Sequence, residues 1–189
     1  MDKEQKEKAI SKMLIQMGFC WIAREEKYNE LIAYTKKPFR IDTEYSTWDS
    51  KEGEITTFDG LLPEDVFTEI TATDPEAFFL PEYYCNQSVR DFFLEERETV
   101  LLKGMVAMGL RWAGRDGLQR LSFYTEKPVG VRTIDEAAER KYCVWNKLDG
   151  LETDMDGLID PYLSLEIQSD NEEATNLMEL LQKLSRKKI

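Results

Sequence analysis

The stretch MGFCWIAR at residues 17–24 returns as MGLRWAGR at residues 108–115, and this recurrence divides the chain of 189 residues. Upstream and through it, Glu4, Glu7, Lys12, Met17, Gly18, Trp21 and Arg24 match Glu95, Glu98, Lys103, Met108, Gly109, Trp112 and Arg115 at a spacing of 91. Downstream, Leu31, Tyr34, Thr35, Lys37 and Pro38 match Leu121, Tyr124, Thr125, Lys127 and Pro128 at 90. After a gain of seven residues, Trp48, Gly53, Thr56, Asp59, Gly60, Leu61, Glu69, Ile70, Glu76 and Ala77 match Trp145, Gly150, Thr153, Asp156, Gly157, Leu158, Glu166, Ile167, Glu173 and Ala174 at 97. Matches on three offsets, broken only where loops are expected, read as a tandem duplication. The predicted class is α+β. Each unit is an N-terminal helix plus a small antiparallel sheet, and a C-terminal helix follows the second. The first repeat is placed at residues 1–80, a connector at 81–91 and the second repeat at 92–189.

The helices follow from apolar spacing. Ala9, Ile10, Met13, Leu14 and Met17 recur on one helical face, and Gly18 is placed to stop the helix. In the second half Val100, Leu101, Met105 and Met108 form the stripe of a helix from about residue 89, with Ser88 to Asp91 as a capping box and Gly109 as its stop. Ala174, Leu177, Met178, Leu181 and Leu184 predict the C-terminal helix over 171–187, with Ser169 and Glu172 as its capping box and basic residues at its end.

Past each glycine the period changes to two. FCWIAR and ELIAYT read as a hairpin, as do LRWAGR and QRLSFYT, with Pro38 and Pro128 ending the second strands. A third strand is expected around residues 40–48 and 141–145, a fourth at EITTF, and VFTEIT and YLSLEIQ as the last strands. Residues 74–88, aromatic and holding Pro75 and Pro81, read as a packed connector.

Composition narrows the chemistry. The absence of histidine removes histidine base catalysis and His-containing zinc sites. Cys20, Cys85 and Cys143 are scattered and odd in number, which suits reduced thiols in a cytoplasm, and no apolar run is long enough to span a membrane. The net charge is −12, unevenly spread. Residues 41–86 hold twelve acids and one base, Lys51, and residues 148–174 hold nine acids and no base. The rest has 24 bases and 16 acids. Such a field favours cationic partners and repels nucleic acid.

The candidate partner-binding residues are therefore the acids Asp42, Glu44, Asp49, Glu52, Glu54, Asp59, Glu64 and Asp65 in the first run, and Asp149, Glu152, Asp154, Asp156 and Asp160 in the second. Trp21, Trp112, Trp48 and Trp145 read first as core and second as recognition aromatics. Arg24 and Arg115, with Lys37 and Lys127, could meet a phosphate or a partner's carboxylate, or pair within the fold with Glu69 and Glu166. Glu152 to Leu163 approaches a calcium loop but has leucine at the bidentate twelfth position, which favours an acidic turn. Asp160 with Glu166-Ile-Gln168 faintly follows a nuclease acid pair, with glutamine in the usual lysine position. No phosphate-cradling glycine loop, nucleophile elbow or cofactor motif is present.

The string GFCWIAR, ELIAYTKKP, Trp48, DGLLP and EIT resembles small proteins carried by phages and mobile elements, over most of the first half. The second half keeps GLRWAGR, YTEKP, Trp145 and DGLI and departs at Asp160-Pro161 and Gln168. In size, charge and lack of catalytic motifs the chain is also similar to anti-CRISPR inhibitors of Cas9. The resemblance implies no catalytic residue, metal or cofactor. It implies a non-enzymatic acidic protein in the cytoplasm of a bacterial host, inhibiting a nucleic-acid-binding defence protein with a basic surface, such as a Cas nuclease, without binding nucleic acid or membrane itself. The alternatives are a phage structural or accessory protein that binds through aromatic surfaces, and a metal-dependent nuclease.

Overall fold

Helix α1 (Lys3–Gln16) begins at a reciprocal cap. The Asp2 carboxylate accepts the Gln5 amide at 2.8 Å and the Gln5 side chain accepts the Asp2 amide at 3.2 Å. Its predicted stripe is buried at Ile10, Met13 and Leu14, and Gly18 ends it at φ +93°. The computed structural model describes residues 1–42, 45–51, 53, 55–56, 62–63, 65–83, 97–135, 140–154 and 166–186.

The first unit carries β1 (Trp21–Arg24), β2 (Leu31–Tyr34), β3 (Phe39–Asp42), β4 (Ser46–Asp49), β5 (Ile55–Thr56), β6 (Phe78–Phe79) and α2 (Leu80–Tyr83). Four of these strands make an antiparallel sheet in the order β5-β2-β1-β6, and β3 and β4 pair as a separate ribbon. Helix α3 (Arg97–Ala107) then lays Leu101, Leu102 and Met105 into the core against α1. The approach is close enough that a β-carbon at Gly104 would lie 2.4 Å from that of Met13. Only glycine fits there.

The compact units are consequently Met1–Met108 and Gly109–Ile189. The expected connector at 81–91 does not mark the division, because α3 buries its apolar face on α1.

The second unit holds β7 (Trp112–Arg115), β8 (Leu121–Tyr124), β9 (Val129–Asp135), β10 (Arg140–Asn146), β11 (Glu152–Asp154), β12 (Thr175–Asn176) and α4 (Leu177–Arg186). Its sheet order is β11-β8-β7-β12, position for position the order of the first, and β9 pairs with β10 over seven residues. The protein is thus mixed helix and sheet, with small antiparallel sheets and a C-terminal helix. Among the described residues, no helix is long and apolar enough to cross a membrane.

Several expectations are corrected. Residues 40–48 hold two strands, β3 and β4, rather than one; the strand expected at 141–145 is β10, but its partner β9 was not expected, and Pro38 and Pro128 lie just before β3 and β9 rather than at the end of β2 and β8. VFTEIT is not a strand. Val66, Phe67 and Ile70 are buried, but Phe67 takes a left-handed φ of +52° and side chains replace the ladder. Glu7 Oε1 accepts the Phe67 amide at 2.6 Å, while the Arg24 guanidinium donates to the carbonyls of Ile70 at 2.7 Å and Phe67 at 3.3 Å. Among the described residues the last strands are instead β6 and β12, which pair with β1 and β7, while most of YLSLEIQ lies outside those residues. The C-terminal helix starts only at Leu177, capped by the Asn176 side chain, which accepts the amides of Met178 and Glu179 at 3.0 and 3.2 Å. Ser169 and Glu172 lie well before it. The Ser88–Asp91 capping box falls outside the described residues, as does the calcium-like turn past Asp154.

Candidate functional site

Two tryptophans tie each ribbon to its sheet. Trp48 sits in a buried cluster with Ala23, Ile32, Tyr34 and Ala77, and Trp145 in one with Tyr124, Cys143 and Ala174. Their indole N–H groups donate to the carbonyls of Arg24 at 3.2 Å and Arg115 at 3.1 Å. Trp21 and Trp112 are half-buried against the same clusters, with the ammonium of Lys37 5.4 Å from the Trp21 ring centre and that of Lys127 5.2 Å from the Trp112 ring centre.

The basic residues that recur in both halves are engaged inside their own units. Arg24 donates to Asn29 O at 2.8 Å as well as to Ile70 O, and Arg115 donates to Gln119 O at 2.9 Å and Ile167 O at 2.8 Å. Burial pulls both guanidinium groups below their ordinary range. Lys37 pairs with Glu76 at 3.0 Å and Lys127 with Glu173 at 2.9 Å. The partners expected from the sequence are taken by other bases: Glu69 holds Lys3 at 2.7 Å, and Glu166 holds Lys183. Arg40, on β3, donates to Asp74 O at 2.7 Å.

The candidate acids fall in several different settings. Glu44, Glu52, Glu54, Asp59, Glu64, Asp156 and Asp160 lie outside the described residues, while Asp42 and Asp154 are placed by backbone at the ends of β3 and β11. Asp65 is engaged with Lys6 at 2.8 Å, and that bond holds its carboxyl below the usual range. Asp49 and Asp149 are exposed beside the turns that follow each ribbon, accepting the next residue's amide at 2.7 Å and 2.8 Å. Glu152 is different: it lines a cleft.

That cleft, of about 240 Å³, belongs wholly to the second unit and is lined by Gly114, Asp116, Arg120, Ser122, Tyr124, Val144, Trp145 and Glu152. Strand pairing builds it. Glu152 on β11 stands opposite Tyr124 on β8, and Tyr124 opposite Trp112 on β7. Trp145 lies so near the β7 backbone that a β-carbon at Gly114 would come within 2.6 Å of its ring. Burial pushes the Tyr124 hydroxyl up to about 12, with its bond to Ser122 pulling down and the nearby Glu152 and Asp116 carboxylates pushing up. Asp116 is saturated. Its Oδ1 accepts the amides of Leu118 and Arg120 at 2.8 and 2.9 Å, and its Oδ2 accepts the Arg120 Nε at 2.8 Å.

Of the cleft lining, the sequence offers Glu152 as a candidate, and Trp145 first as core and second as a recognition aromatic. Ser122, Tyr124, Asp116, Arg120 and Gly114 carried no motif. The signal that could have found them lies in mismatches between the halves: Gly114, Ser122 and Glu152 stand where the first unit has Ala23, Ile32 and Ile55.

Among the described residues, no group of acidic and cysteine side chains could hold a metal ion. Cys143 is buried, and burial pushes the half-buried Cys20 thiol up, away from the reactive thiolate. No family model, curated protein or solved structure matches the chain.

Proposed function

We propose that this is a non-enzymatic acidic interaction protein, built by tandem duplication, that binds the basic surface of a nucleic-acid-handling partner and blocks it. The setting we assign is the cytoplasm of a bacterial host, with a phage or mobile element as carrier and a defence protein such as a Cas nuclease as target. The duplication is supported by the shared sheet order and by paired bonds at matching positions, such as Arg24 to Ile70 and Arg115 to Ile167. One observation carries the binding role: many bases are engaged inside the fold, whereas Asp49, Asp149 and Glu152 stand exposed. With a net charge of −12, a protein groove built for phosphates would meet these carboxylates instead.

The test is displacement of a fluorescent DNA duplex from a guide-loaded Cas9-type nuclease. Displacement at low salt, with affinity falling at least about tenfold as salt rises several-fold, is the expected result. No displacement, or an affinity indifferent to salt, overturns the reading. A second reading, binding through aromatics, is favoured by a cleft of about 610 Å³ in the first unit lined by Trp21, Phe78 and Phe79. It predicts that Asp49→Lys and Asp149→Lys leave capture of the partner unchanged.

A further inference from the structure

Resting on the acidic-surface reading above, we propose that the cleft between Trp145 and Glu152 is a seat for one arginine side chain of the basic partner. Its volume of about 240 Å³ falls below the ~300–1,000 Å³ usual for small-molecule pockets. It suits a side chain better than a free cofactor. The lining sets the sign of the charge: Arg120 is matched by Asp116, whose oxygens are occupied, so Glu152 is the surplus charge.

The chemistry favours guanidinium over ammonium. Trp145 offers an indole wall, on which a planar, weakly hydrated cation stacks. The exposed Glu152 carboxylate and the Ser122 hydroxyl offer acceptor oxygens in the same lining, matching a fork of several N–H donors. Tyr124 is 1% exposed and its hydroxyl is bonded to Ser122 and Glu152, which holds both side chains in place along the lining. The first unit lacks this seat. Ile32 there belongs to the buried Trp48 cluster, and Ile55 replaces the carboxylate.

The experiment is an amide NMR titration of the full chain with two blocked tripeptides, Gly-Arg-Gly and Gly-Lys-Gly. The arginine peptide should shift the amides of Gly114, Ser122 and Glu152 with saturation, and the lysine peptide should bind several-fold more weakly. Glu152→Gln should weaken the arginine peptide about tenfold, and Ser122→Ile should abolish the shifts. An unchanged Trp145 indole resonance in Glu152→Gln verifies its fold. If both variants bind like the parent, or inorganic phosphate moves the same amides, the arginine seat is wrong. A nonalysine peptide separates this failure from that of the acidic reading. If nonalysine binds at low salt and is lost at high salt while the cleft amides stay still, the acidic surface stands and the seat falls. If neither it nor the arginine peptide binds at low salt, both fall. If the arginine peptide seats while nonalysine is indifferent to salt, only the acidic reading falls.

Discussion

Trp48 and Trp145 make the same bond to the same backbone position, yet one is enclosed by aliphatic side chains and the other borders a polar cleft. The difference comes down to three neighbours. At matching positions the first unit has Ala23, Ile32 and the exposed Ile55, and the second has Gly114, Ser122 and Glu152. Even the equivalent tyrosines respond: Tyr34 donates to Trp48 O at 3.4 Å, while the Tyr124 hydroxyl is set among Ser122 and Glu152. One framework thus supports a plain core in one unit and a polar cleft in the other. Removing methylenes from a packed wall opens space, and placing hydroxyl and carboxylate groups around that space gives it chemical preference.

The largest effect should come from removing the tryptophans themselves. Trp48→Ala and Trp145→Ala should each cost about 3–5 kcal/mol in urea unfolding, with Trp48 at the upper end because its cavity is closed by aliphatic walls. An equal or greater loss at Trp145 would break the comparison. Next come the swaps that exchange the two environments. Ile32→Ser should cost about 2–4 kcal/mol, from lost burial and a cavity left beside Trp48. Ser122→Ile should change stability by no more than about 1 kcal/mol in either direction, since its side chain enters space already present. If the two swaps prove equally costly, the cleft is not spare volume.

A further effect is confined to alkaline pH. Tyr124 is raised from 10.0 to about 12 in the folded state, so an unfolded chain ionises this phenol before the folded one does. Its contribution to stability is complete below about pH 10 and disappears between pH 10 and 12. Tyr124→Phe should flatten the fall of the urea midpoint over that interval. A variant whose midpoint falls as steeply as the parent's would show that the hydroxyl is not buried as described.

Much of the fold was legible because it depends on local order. The stripe of Ile10, Met13 and Leu14, the stop at Gly18 and the alternation around Trp21 and Tyr34 each lie within a few residues of their cause. The errors fall where distant partners decide. VFTEIT alternates like a strand, but Glu7 and Arg24 claim its amide and carbonyls from about 43 to 60 residues away along the chain. Similarly, the stripe of α3 predicts a helix but cannot say that Met13 awaits Gly104. The candidate site followed the same rule. Charge counting found Glu152, whereas Ser122 and Tyr124 became visible only when β8 lay beside β11.

The sequence by itself determined the recurrence of one half in the other, the apolar stripes of the helices, the first hairpin of each half and the uneven charge, because these reside in residue identity and short-range periodicity. Only the tertiary structure decided which unit owns α3, which carbonyls Arg24 and Arg115 satisfy, and that Glu152 joins Trp145 at a cleft. Those facts depend on strand pairing and close packing between residues far apart in the chain. No local pattern encodes them.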